Sequence, residues 1–90
     1  MHFTLYSRSY CHLCDDMLQA LRPLQTDYAF TIDVVDIDAD DALLAQYDEL
    51  VPVLVAQHCV TAPPASREQL CHYFLDEARV RAYLEAWSAA

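Results

Sequence analysis

The chain has 90 residues, room for one domain with one modest core. Apolar residues make up 56% of it, which argues against disorder, and a net charge of −9 disfavours phosphate backbones and anionic lipid as partners, though acidity serves solubility equally well. No apolar run approaches the roughly 20 residues of a membrane span, and Met1–Tyr6 lacks the basic-then-apolar order of an export signal, so a cytoplasmic monomer with no nucleic-acid or membrane partner is expected.

Taken in chain order, Phe3-Thr4-Leu5-Tyr6 alternates as a first strand does. From Leu13 to about Arg22, the residues Leu13, Met17, Leu18 and Leu21 fall on one helical face, and Pro23 kinks or ends the helix. Phe30, Ile32 and Val34 alternate with Thr31 and Asp33, the pattern of a half-wet strand at a sheet edge. Asp38 with Asp41 reads as an acidic helix start leading into Ala42–Tyr47. Val53-Leu54-Val55-Ala56 is continuously apolar, as in a strand covered on both faces. A loop carrying Pro63-Pro64 follows, and then the β-prone run Leu70–Phe74. Asp76 is a good N-cap for a last helix, with Leu75 and Val80 placed as a hydrophobic staple and Val80, Leu84 and Trp87 as its buried stripe. The order is β-α-β-α-β-β-α in a single domain over residues 1–90. A right-handed β-α-β crossover makes the first two strands parallel, and a terminal hairpin adds two antiparallel ones. This predicts an α/β fold with a mixed four-stranded sheet and helices on both faces.

The chain has four cysteines, and without an export signal stable structural disulfides are not expected. Cys11 and Cys14 alone are closely spaced, just after a strand and at a helix start. That spacing lets two thiols meet across one helical turn. The positive end of the helix favours a Cys11 thiolate, which makes Cys11 the nucleophile. Cys14, one turn deeper beside Met17 and Leu18, is the resolving thiol. Arg8 and a protonated His12 favour the thiolate further, whereas Asp15 and Asp16 oppose it, leaving its pKa open between about 3.5 and 8.5. Metal binding by the pair, or incidental cysteines, stay open at this point.

The stretch Phe3-Thr4-Leu5-Tyr6-Ser7-Arg8-Ser9-Tyr10-Cys11-His12-Leu13-Cys14 resembles the first strand and active-site loop of the glutaredoxins, and more closely of short bacterial glutaredoxin-like proteins. Val51-Pro52-Val53 is similar to the family's threonine-valine-proline motif. The resemblance implies a thioredoxin-like fold of glutaredoxin type and a thiol–disulfide oxidoreductase. Cys11 and Cys14 would be catalytic, and Arg8, Tyr10, Val51, Pro52 and Asp76 would form the substrate-binding set. It further implies a cis bond at Pro52, backbone groups of Val51 open to pair with an extended substrate, and Arg8 meeting a carboxylate of glutathione. No tightly bound cofactor and no metal follow from it. Glutathione would serve as co-substrate, and the partners would be a disulfide-containing protein or small thiol, with glutathione or a thioredoxin-type reductase supplying electrons. His12-Leu13 replaces the family's usual proline-aromatic pair. Where the family turns into its last helix on Gly-Gly, this glycine-free chain reads Tyr73-Phe74-Leu75-Asp76, which puts side chains where close backbone approach is needed and acid beside the helix N-terminus.

Other residues read more blandly. Tyr10 either shields the Cys11 sulfur or packs. Cys71 reads as a small core residue and Cys59 as an exposed thiol. His58, Cys59, Cys71 and His72 lack the spacing of zinc ligands, and Asp33, Asp36, Asp38, Asp40 and Asp41 that of a calcium loop. Phe30, Tyr47, Tyr83 and Trp87 read as core. Two rival functions are carried forward. One is a module binding zinc or an iron–sulfur cluster through Cys11 and Cys14. The other is a non-catalytic thioredoxin-fold interaction protein whose thiols stay near the free pKa of about 8.5.

Overall fold

The computed structural model describes residues 1–8, 11–57 and 67–88. Strand β1 (His2–Ser7) leads to helix α1 (His12–Leu21), strand β2 (Thr31–Asp36), helix α2 (Asp41–Tyr47), strands β3 (Val53–Gln57) and β4 (Glu68–His72), and helix α3 (Glu77–Ser88). The sheet order is β2-β1-β3-β4. β1 and β2 are parallel, with Phe3 opposite Ile32 and Ser7 opposite Asp36. β1 and β3 are antiparallel, as are β3 and β4.

The two sheet faces carry separate cores. Phe3 and Leu5 of β1, Leu54 and Ala56 of β3 and Leu70 of β4 pack with Met17 and Leu21 of α1 and Val80, Tyr83 and Leu84 of α3. Alternate residues of the same strands, Tyr6, Val53 and Val55, pack with Ile37 and Tyr47, and Leu43 and Leu44 of α2 close over them. β3 thus buries every residue, which is why it reads as an unbroken apolar run. Helices on both faces of a mixed sheet agree with the expected architecture.

Local departures have local causes. The buried face of α1 is Cys14, Met17 and Leu21, with Leu18 half-buried, a clean i, i+3, i+4, i+7 set; Leu13 falls outside it and is exposed. Pro23 ends α1, and the chain continues as a 3₁₀ turn over Arg22–Thr26 that drops Leu24 into the core. β2 is an edge strand as expected, but Val34 points to solvent, Ile32 and Val35 are half-buried, and Phe30 joins the core from just ahead of the strand. The cap of α2 is Asp40, not the Asp38/Asp41 pair: its Oδ1 accepts from the amides of Ala42 and Leu43 at 2.8 and 3.4 Å. Asp76 does cap α3, accepting from the Arg79 amide at 3.1 Å, and Leu75 and Val80 both join the core as a staple requires. Trp87 is 47% exposed, so the buried stripe of α3 is Val80, Tyr83 and Leu84. β4 ends at His72 rather than Phe74, because Tyr73 turns into the left-handed region at φ 65°. Leu54 opposes Cys71 and Val55 opposes Gln69, so Leu70 is the extra residue of a bulge; Leu70 and Cys71 accordingly both reach the same core.

Candidate functional site

Strand register decides what the site contains. Tyr6 opposes Val53, Ser7 opposes Asp36, and Val53 opposes His72. One end of the sheet therefore gathers the residues after Ser7, those after Asp36, those before Val53 and those after His72. Arg8 and Cys11, Asp38, Val51-Pro52 and Tyr73-Phe74 thus follow or precede strand ends on one side of the sheet, although they are far apart in sequence.

Cys11 and Cys14 are bridged as a disulfide, with their Cα atoms 5.2 Å apart. Cys11 is the N-cap of α1: its backbone is extended, and its Sγ accepts the Cys14 amide at 3.1 Å. A helix N-terminus offers such unpaired amides to any acceptor, and a thiolate takes them better than a thiol does. Cys14 is 4% exposed, Cys11 half-buried, and His12 and Leu13 lie on the solvent side of the turn. An incoming sulfur thus meets Cys11 first. Among the described residues, no three His, Cys, Asp or Glu side chains converge as a metal-binding group. His58, Cys59 and Tyr10 lie outside the described residues.

Arg8 does not stand free beside the sulfurs. Its Nη2 lies 3.0 Å from Asp38, its Nε donates to the same carboxylate at 3.4 Å, and its Nη1 donates to Asp48 at 2.6 Å. The Asp38 hydrogen bond and charge hold its pKa above the usual arginine value. This half-exposed trio ties the segment after β1 to the chain after β2 and to the end of α2. A substrate carboxylate at Arg8 has to compete with two resident ones. Asp48 was not singled out by sequence, where nothing but charge marks it.

The Val51–Pro52 bond is cis, and Pro52 is fully buried. The Val51 amide donates to the Tyr47 carbonyl at 3.2 Å, so it is engaged by the end of α2 rather than open as expected. Asp76 fills the N-terminus of α3 with its own carboxylate, so an anion arriving there meets acid before it meets amides.

Tyr73 is the residue that sequence reasoning under-read. The absence of glycine marked this position as crowded, but not how the crowding is resolved. Its φ of 65° is a conformation that costs a bulky residue on the order of 1–3 kcal/mol. Two hydrogen bonds hold it: its amide donates to the Pro52 carbonyl at 2.9 Å, and its hydroxyl donates to the Glu49 carbonyl at 2.5 Å.

The family model described as Glutaredoxin-like domain (DUF836) matches residues 2–85. The chain belongs to the glutaredoxin-like domain family. Two solved structures are similar over most of the chain. Protein Ne2328 from Nitrosomonas europaea superposes with a TM-score of 0.77 at 38% identity, over 92% of this chain and 89% of that one. Target protein XcR50 from X. campestris does so with a TM-score of 0.62 at 38% identity, over 93% and 96%. Thioredoxin 1 from Thermosipho africanus, at 17% identity and a TM-score of 0.66 over 98% and 99% of the chains, shares the fold. No relative is found among curated proteins. A glutaredoxin-like fold with Cys11 and Cys14 at disulfide distance supports a redox-type role.

Proposed function

We propose that the protein is a thiol–disulfide oxidoreductase. The observation that carries this reading is the Cys11 sulfur at the N-cap of α1, accepting the Cys14 amide, with the buried Cys14 close enough to bridge it. In the reduced enzyme the same amide stabilises a Cys11 thiolate. That thiolate attacks one sulfur of a substrate disulfide; the substrate S–S bond breaks, its other sulfur leaves as a thiolate, and a mixed disulfide forms on Cys11. Cys14, giving up its proton, attacks the Cys11 sulfur and expels the second substrate thiolate. Two electrons have passed to the substrate, and the Cys11–Cys14 bridge holds the oxidised state. Two glutathione thiols or a thioredoxin-type reductase return the electrons, so no tightly bound cofactor is needed. Arg8, Tyr10, Val51, Pro52 and Asp76 would be the substrate-binding set by family resemblance. Of these, Arg8 is shared with Asp38 and Asp48, the Val51 amide is held by Tyr47 and Pro52 is buried. The reading is of a cytoplasmic monomer acting on protein or small-molecule disulfides; no helix among the described residues is long and apolar enough to cross a membrane.

Trapping tests it. In Cys14→Ser the second step is blocked, so a mixed disulfide accumulates on Cys11, and mass spectrometry identifies the attached thiol. Cys11→Ser retains none. Turnover of a peptide disulfide falls at least about 100-fold in Cys11→Ser, the loss expected with a nucleophile. A Cys14→Ser protein that carries no adduct on Cys11, under conditions that label a free thiol, refutes the reading.

A further inference from the structure

Tyr73 is held on both sides of one segment of chain. Its amide reaches the carbonyl of Pro52 and its hydroxyl the carbonyl of Glu49, so a single residue brackets Glu49–Pro52. The amide of Phe74 donates to the His72 carbonyl at 2.7 Å, closing a three-residue turn around Tyr73. A turn of this kind around a residue with positive φ is rare, and bulky side chains avoid it. The turn is therefore kept by what the side chain holds. The other end of the segment is tied by the Leu50 and Val51 amides, which both donate to the Tyr47 carbonyl at 2.9 and 3.2 Å. Val51-Pro52 sits between these two anchors, at the sheet end that carries Cys11.

The geometry points to Tyr73 as the positioning residue that sets where Val51-Pro52 meets a substrate chain. This rests on the redox reading of Cys11 and Cys14 and adds a specificity device to it. The phenol bonds to Glu49 rather than to a sulfur. With the Tyr73 amide it fixes the position of half-buried Val51, against which a substrate chain packs by side-chain contact, the Val51 amide being held by Tyr47. An extended peptide disulfide needs that surface. A compact disulfide such as cystamine needs only access to Cys11. Tyr73 therefore separates the two classes, which a residue serving stability alone does not.

Tyr73→Phe removes the bond to Glu49 and keeps the ring and the amide; Tyr73→Gly also removes the ring and relaxes the backbone. Steady-state reduction of a peptide disulfide and of cystamine is measured for wild type and both variants. KM for the peptide rises about three- to tenfold in Tyr73→Phe, the factor of one hydrogen bond, with kcat unchanged. It rises at least as far in Tyr73→Gly, whose backbone is eased rather than strained, while cystamine reduction stays within about twofold in both. Parallel losses on both substrates, or no loss on the peptide, overturn the assignment while leaving the redox reading intact. A wild-type protein that reduces neither substrate overturns the redox reading and the assignment together.

Discussion

Cys71 reads in the sequence as a small core residue, and the fold places it against the core. It is a free thiol, half-buried against the main core, and burial pushes its pKa up, outweighing the help of a backbone bond near Asp76. A raised thiol pKa means that the folded chain keeps a proton the unfolded chain has lost. The stability this gives is full below the unfolded thiol pKa and drains away as pH rises through the folded one. Cys71→Ala leaves a small void and is the less stable protein at neutral pH. The gap narrows once pH exceeds the ordinary thiol value of about 8.5, because only the wild type loses this contribution. Urea unfolding of both proteins at about pH 7 and pH 10 measures the change; a gap that stays constant contradicts it. Arg8 teaches the reverse lesson. Its place three residues before Cys11 is plain in sequence, but its two partners come from Asp38 and Asp48, which only the fold brings near.

Short elements here depend on their caps. α2 spans only Asp41–Tyr47, too short to persist alone, and its first amides are held by Asp40. Asp40→Ala is expected to cost about 1 kcal/mol, the usual worth of such a cap, whereas Asp41→Ala costs a few tenths at most. Chemical denaturation midpoints of the two variants check the contrast, and equal losses argue against Asp40 as the cap. The sequence showed an acidic helix start here but not which aspartate serves, because all five candidates between Asp33 and Asp41 have the right chemistry. The fold divides them. Asp36 accepts the Asp38 amide, Asp40 caps α2, Asp38 binds Arg8 and Asp33 lies 3.2 Å from His2. The helices with strong periodicity were legible for the opposite reason. In α1 the residues Met17, Leu18 and Leu21 leave one solution, whereas Trp87 in the last turn of α3 had no further turn to confirm its side.

At the scale of the molecule, charge becomes a kinetic property. The net charge is −9, and at the redox end of the sheet Asp38 and Asp48 offset Arg8 while Glu49 and Asp76 add to the acid. Such a field concentrates cations and repels anions. At about 10 mM ionic strength, cystamine is expected to be reduced at least about tenfold faster in kcat/KM than an anionic disulfide of similar size. At about 0.5 M the two rates converge, because screening shortens the reach of the field to a few ångströms. A preference that ignores salt contradicts steering as its cause.

Order of elements, parallel and antiparallel pairing, two-sided burial of β3 and the cysteine pair at a helix start were all set by the chain itself. Periodicity, turn residues and spacing act over a few neighbours and carry that information directly. The partners of Arg8, the engaged amide of Val51, the bulge at Leu70 and the left-handed turn at Tyr73 were decided only in three dimensions. The Val51 amide reaches only four residues back, to Tyr47, but the others depend on groups that strand pairing brings together, and no local pattern encodes which distant group will be waiting there.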